Sequence, residues 1–280
     1  MLKFTTQLIT FALLFASSVS LIAQEDLSPA KLYNNALAKM KEKAYEEAFP
    51  MFEEALAKAD TTKENDLKVI RLANRNGASC AYRLGSATRK GGDHAKALEL
   101  FEKGIAMNPD YFGNYLGKAQ AIEGIGEDKI AALNAYVMAG DMAAKSEKTM
   151  KQMPKMYSKA QRFSSSAYVK AKDYEQSIAL ADAYLAARGE EVNDAYIANY
   201  YKAASLNKMD KNEDALPVIQ ASVAALPEGE DADKYHLLHG IVNQILGNND
   251  AAIEAYSMVK GEKNEKYKAA AQSRIDALKQ

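Results

Sequence analysis

Small and apolar residues fall at helical intervals along most of the chain. Ala81, Leu84, Gly85 and Thr88 follow the i, i+3, i+4, i+7 spacing that sets side chains on one face of a helix. The turn KGGD comes next, in which Gly91 and Gly92 can end that helix and Asp93 can cap another. Ala97, Leu98, Phe101, Gly104 and Ile105 then mark a second helical face, which Asn108-Pro109 stops. Small side chains belong where two antiparallel helices touch, because larger ones would force the axes apart.

This two-helix pattern recurs. Aligning GGDHAKALELFEKGIAMNP (91–109) with KAYEEAFPMFEEALAKAD (43–60) puts Ala97 on Ala48, Phe101 on Phe52 and Gly104 on Ala55. The same frame predicts Ala131, Ala135 and Met138 in a third unit and Ser177, Ala181 and Tyr184 in a fourth. It continues with Ala215, Ile219 and Ser222, then Ala252, Tyr256 and Val259. The interval from Ala97 to Ala131 is 34 residues, and the longer intervals imply insertions. Residues 61–75 read as a lengthening of the next unit's first helix, with Leu67, Ile70 and Asn74 on one side. Residues 141–161 read as a similar lengthening in the fourth unit, broken near Pro154. Ser28-Pro29 is a good helix start, and residues 264–280 predict a terminal helix with Tyr267, Ala271 and Ile275 on its apolar face.

Units of about 34 residues with this pattern resemble the tetratricopeptide repeat family. The second unit carries the resemblance best, through Leu84-Gly85, Ala97, Phe101, Gly104 and Pro109. The first has Ala36, Ala48, Phe52 and Ala55, the sixth Gly240, Gly247, Ala252 and Tyr256, and the fifth Ala203, Ala215 and Pro227, with Ile219 in place of the aromatic. The third and fourth units depart from the pattern, with Ala135 and Ala181 at the aromatic position, and the signature tryptophans are absent. The resemblance spans roughly residues 28–261. It implies an all-α fold, a right-handed solenoid of about six antiparallel helix pairs with a C-terminal capping helix. The domain expectation is a signal peptide at 1–23, the solenoid at 24–262 and the cap at 263–280.

The amino terminus differs from the rest. An early lysine, an apolar run from Leu8 to Phe15, a small-residue zone and the first acid at Glu25 match the order of a secretory signal. Cleavage is expected after Ala23, although Leu21 is larger than the ideal residue three places before a cut, and Ser18-Val19-Ser20 offers another site. The alternative is an uncleaved anchor, for which the apolar core is short against the ~20 residues a span needs. No cysteine lies near the cut to carry a lipid. An exported protein, periplasmic or secreted, with no integral membrane span after cleavage is therefore expected.

Charge narrows the partner class. With 36 Lys+Arg against 37 Asp+Glu the net charge is −1, which gives no overall reason to bind nucleic acid. Cys80 is the only cysteine, so no intrachain disulfide forms, and a buried apolar role is expected for it. No phosphate-binding glycine loop, paired-cysteine zinc pattern or nucleophile elbow occurs, and the pairs Glu46-Glu47 and Glu53-Glu54 read as solvated helix faces. His236 and His239 stand three apart on a predicted helix but lack an evident third ligand, and His94 reads as structural. Met150, Met153 and Met156 have a spacing that suits Cu(I) thioether ligation, although an adaptable apolar face explains them as well. The expectation is a non-enzymatic protein with no cofactor and no metal.

In the family the working surface is the concave face lined by the first helices. Carried over, the resemblance places Tyr33, Tyr82, Leu116, Arg162, Tyr200 and Leu237 at one equivalent position of the six units. A turn later it places Met40-Lys41, Arg89-Lys90, Glu123-Gly124, Val169-Lys170, Asn207-Lys208 and Gln244-Ile245. The expected partner-binding set is Tyr33, Tyr82, Arg89, Lys90, Arg162, Lys170, Tyr200 and Lys208, meeting a protein or peptide segment of acidic character. Tyr33 and Leu37 occupy positions where a two-carboxylate clamp needs lysine and asparagine, so that clamp is not expected. The other functional classes left open are a glycan or small-ligand module using groove tyrosines, and a methionine-based copper carrier.

Overall fold

The computed structural model describes residues 27–189 and 192–280. They form a string of helices: α1 (Pro29–Lys41), α2 (Tyr45–Lys58), α3 (Glu64–Lys90), α4 (His94–Met107), α5 (Phe112–Ile125), α6 (Lys129–Ala144), the one-turn α7 (Glu147–Met150) and α8 (Met153–Ser166). A π-helical turn (Ala167–Ala171) ends α8. The string continues with α9 (Tyr174–Arg188), α10 (Ala195–Lys208), α11 (Asn212–Ala224), α12 (Asp233–Ile245), α13 (Asn249–Ser257) and α14 (Glu265–Leu278). No strand occurs among the described residues.

Successive helices pack on one another, and the first helices of the pairs also touch the next first helix: α1 touches α2 and α3, α3 touches α4 and α5, α10 touches α11 and α12, α12 touches α13 and α14. A chain that contacts itself only at short range has no single centre. Its core is divided into clusters strung along the length, from Phe49 and Phe52 at the amino end to Tyr256 and Ile275 at the other. Such a solenoid gains stability from interfaces between successive units and needs closed ends. Ser28 closes the first by accepting a hydrogen bond from Lys31 N at 3.3 Å, with Pro29 in the first turn. At the far end α14 buries Ala271 and Ile275 against α13, as its sequence predicts.

The insertion at 61–75 lengthens a helix as expected: α3 has 27 residues, and its added turns bury Val69 and Ala73. The insertion at 141–161 does otherwise. It extends α6, adds the separate turn α7 and then starts α8, in whose first turn Pro154 stands. A proline there loses no helical hydrogen bond, so it begins a helix instead of breaking one. The expected signal peptide lies outside the described residues. No helix among those described is long and apolar enough to cross a membrane.

Candidate functional site

Where α5, α6, α8, the π-helical turn and α10 approach one another they leave a cleft of about 670 Å³. Its apolar lining is Phe163, Ala167 and Tyr201, and the exposed Ala171 and Val169, the latter 61 % exposed, complete it. Four cations border it, Lys129, Lys159, Arg162 and Lys170, with the single carboxylate of Glu123. Glu123 is already engaged: it accepts a short hydrogen bond from the Tyr136 hydroxyl, and Arg162 Nη2 stands 3.7 Å from its other oxygen. The Lys159 ammonium lies 5.0 Å above the Tyr136 ring, a cation–π arrangement, and Lys129 donates to the neutral Gln176 side chain. Burial of Tyr136, and after it the bond to Glu123, raises its phenol far above the usual value, so the hydroxyl keeps its proton.

Which side chains reach this surface is set by how each pair of helices is phased, and that phasing is regular. In all six pairs the second helix opens on a cap residue whose carbonyl accepts from the N–H four residues on, at 2.9–3.1 Å: Ala44–Ala48, Asp93–Ala97, Asp128–Ala132, Asp173–Ser177, Lys211–Ala215 and Asn248–Ala252. The later residue is small and buried in every case. In the first, second, fourth, fifth and sixth pairs a left-handed residue stands immediately before the cap: Lys43, Gly92, Lys172, Asp210 and Gly247. The first-helix small residues Gly85 and Gly240 lie flat against Phe101 and Tyr256 of their second helices. Six helix pairs thus share one cap with a small buried residue four places on, and five of them a left-handed residue before it. The fold is a tetratricopeptide-type solenoid.

No family model and no curated protein matches the chain. Among solved structures it is similar to the C-terminal part of a TPR repeat-containing protein from Cytophaga hutchinsonii, at 14% identity over 90% of each chain and a TM-score of 0.38. It is also similar to a thermophilic TPR protein from Thermus thermophilus, at 13% identity over 89% of this chain and 99% of that one (TM-score 0.31). A tetratricopeptide repeat protein from Parabacteroides merdae shows 14% identity over 90% and 99%, with a TM-score of 0.32.

The tetratricopeptide frame corrects two of the sequence assignments by one residue each. In the third pair the left-handed Gly126 is separated from the cap Asp128 by an extra residue, Glu127. The buried set is therefore Ala132, Tyr136 and Ala139, not Ala131, Ala135 and Met138, and Met138 is exposed. The third repeat does have its aromatic, as Tyr136. In the fourth the extra residue lies inside the helix. Where other turns close with the cap N–H on the carbonyl five residues back, as Asp93 on Thr88, Asp173 N reaches six back to Ala167, which is the π-helical turn. The buried small pair becomes Ser164 and Ser177, each hydroxyl donating to the other's carbonyl at 2.9 and 3.1 Å. Gln161, buried and donating to Asp194 O, takes the place assigned to Arg162, and Arg162 turns outward into the cleft.

The remaining predicted residues divide by chemistry. Lys90, Lys170 and Lys208 are exposed, but only Lys170 and Arg162 border the cleft. The tyrosines pack into the solenoid as well as facing outward. Tyr33 accepts from Asn76 Nδ2 at 2.9 Å and meets Phe52, and Tyr82 lies between Phe101 and Tyr111. Tyr200 stands edge-on to Tyr235 at 4.9 Å and to Tyr201 at 5.2 Å. Arg89 is half-buried with its charge felt at the Tyr136 hydroxyl. The sequence reading did not name Lys129, Lys159 or Tyr201: Lys129 opens a second helix, and Tyr201 lies one residue past the marked Tyr200.

The other candidates are structural. Cys80 is fully buried, and burial pushes its thiol up to about 12, far from a reactive thiolate. Met156 lies in the core beside Tyr157, whereas Met150 is exposed on the separate turn α7. The His94 ring lies against Gly124, where a Cβ would come within 2.4 Å of Nδ1. Burial holds His236 and His239 below the ordinary value of 6.5, and for His236 the charge of His239 adds to this. The unfolded chain takes up these protons first as pH falls, so stability is complete above about pH 6.5 and declines below it. Replacing both histidines by glutamine should flatten the thermal midpoint between about pH 7 and about pH 5. An unchanged slope would place the acid sensitivity elsewhere.

Proposed function

We propose that this is an exported, non-enzymatic scaffold that holds a segment of another polypeptide against its first-helix face, in the assembly or maintenance of a cell-envelope complex. One observation carries the binding reading: the first helices α5, α8 and α10, the π-helical turn and the start of α6 leave open a cleft with apolar lining and four cations. Export is supported by the ordered basic, apolar and small-residue stretches of the first 23 residues. The envelope role is an analogy at the level of fold.

The test is position-specific crosslinking in cells. A photoreactive residue placed at Lys90, Lys170 or Lys208 samples the first-helix face, and one at Glu47, Glu102 or Glu254 samples the second helices. One and the same adduct from the first set, absent from the second, is the expected result. Adducts from the second set alone would put the working surface on the other side. Fractionation of the tagged full chain checks export in the same cells, and retention in the cytoplasm would overturn that part.

A further inference from the structure

We infer that the cleft at the fourth repeat is the anchoring subsite for a carboxylate-rich stretch of the partner polypeptide, in which acidic side chains alternate with apolar ones. This rests on the scaffold reading above. The chain as a whole is almost neutral, yet this cleft gathers four cations around one carboxylate. Many surface lysines of the protein have an acid of their own: Lys39 with Glu47 at 2.7 Å, Lys103 with Glu53 at 2.8 Å, Lys118 with Glu102 at 2.7 Å and Lys202 with Asp182 at 2.6 Å. Lys129, Lys159 and Lys170 have none within ion-pair distance among the described residues. Glu123 cannot serve all four, because its oxygens are taken by Tyr136 and Arg162.

The distribution of the charges selects the ligand. They come from α6, from α8 and from the π-helical turn that continues α8, so the cationic lining spans two helices. The same cleft is lined by the apolar surfaces of Phe163, Ala167 and Tyr201. An extended strand turns alternate side chains to opposite faces, so acids spaced by apolar residues can meet the cations and the apolar lining together. The extra residue of the π-helical turn builds part of this surface, since Ala167, Val169, Lys170 and Ala171 all line it.

The full chain is titrated by fluorescence anisotropy with a labelled Glu-Leu-Glu-Leu-Glu-Leu peptide and, in parallel, Lys-Leu-Lys-Leu-Lys-Leu. The acidic peptide should bind and the basic one should not. Raising salt from about 0.01 M to about 1 M shortens the screening length from about 30 Å to about 3 Å, and affinity should fall at least about tenfold. Arg162→Glu/Lys170→Glu should lose at least about tenfold, and Glu123→Gln, which keeps an acceptor for Tyr136, should gain several-fold. Lys96→Glu/Lys266→Glu, at exposed positions outside the cleft lining, should leave binding unchanged. Equal binding of the two peptides, salt-independent binding by the parent, or an unaffected Arg162→Glu/Lys170→Glu variant overturns the assignment. So does displacement by inorganic phosphate at concentrations comparable to the peptide, which would mark a small-ion site. If the Arg162→Glu/Lys170→Glu variant still gives the crosslinks from Lys90 and Lys208 in cells, the scaffold stands and only this subsite falls; a parent chain that gives no first-helix crosslinks removes the scaffold reading itself.

Discussion

Gly117→Ala will destabilise the protein by about 2–3 kcal/mol, a large effect for one methyl group. The Phe101 ring is fully buried, and a Cβ on Gly117 would come 2.2 Å from its Cε1 and 2.5 Å from Cδ1 and Cζ. The same ring atoms are already crowded by Gly85 of α3, where a Cβ would stand 2.9 Å from Cε1 and 3.0 Å from Cζ. One phenyl group is thus held between the backbones of two successive first helices, and close-packed interiors absorb such an intrusion only by shifting whole helices. Urea unfolding measures the loss. In a Phe101→Leu background the same substitution should cost at least about 1 kcal/mol less, because the obstructing ring is gone. Equal costs in the two backgrounds would show that the ring does not set the spacing of α3 and α5.

Asp233→Ala should be almost as damaging, by about 2–3 kcal/mol, and its effect should appear at the far end of the molecule. Asp233 opens α12 and is buried, yet its carboxylate reaches out of the helix to accept from Lys260 N at 2.7 Å and Gly261 N at 2.9 Å. These amides belong to the link between α13 and α14, where Gly261 takes a left-handed φ of 76° with the Lys268 side chain close by. Removing the carboxylate strands two amide donors and releases the link. The capping helix then leaves Tyr256 and Val259 uncovered. Asp233→Asn keeps one oxygen and should lose about half as much. Limited proteolysis at Lys260 and Lys263, with exchange rates along α14, reads the effect directly. Global destabilisation with α14 still protected would contradict it.

The fold was legible in the chain because its determinants are local. The turn KGGD with Asp93 as cap, the ring–glycine pair of Phe101 and Gly85 and the terminal face of Tyr267, Ala271 and Ile275 are each short patterns with one physical reading. The two slips in frame were not legible, for a simple reason. In KIAALNAYVMAG small residues occupy neighbouring positions, so Ala131 and Ala132 fit the pattern equally, and only the backbone shows that Glu127 is the extra residue. In the fourth repeat the extra residue enters as a wider turn of helix, which no residue type announces. The candidate site suffered most from this. Arg162 was placed in the cleft's neighbourhood through a misassigned position, and Lys159 and Lys129 could be joined to it only once three elements were seen to meet. The tyrosines show the opposite failing: Tyr33, Tyr82 and Tyr200 look like free platforms in sequence, but each has ring partners that a one-dimensional pattern cannot count.

The length of α3 has a consequence for how the molecule comes apart. Its 27 residues extend about 40 Å, close to twice the reach of the 14-residue α4 beside it. Over that length α3 touches α1, α2, α4 and α5. A solenoid of equal units can fray from its end one unit at a time. Here the outermost unit cannot peel away alone, because the rod it rests on also supports the second and third, so the amino-terminal half must loosen as a single block while the other end remains free to open by its last helix.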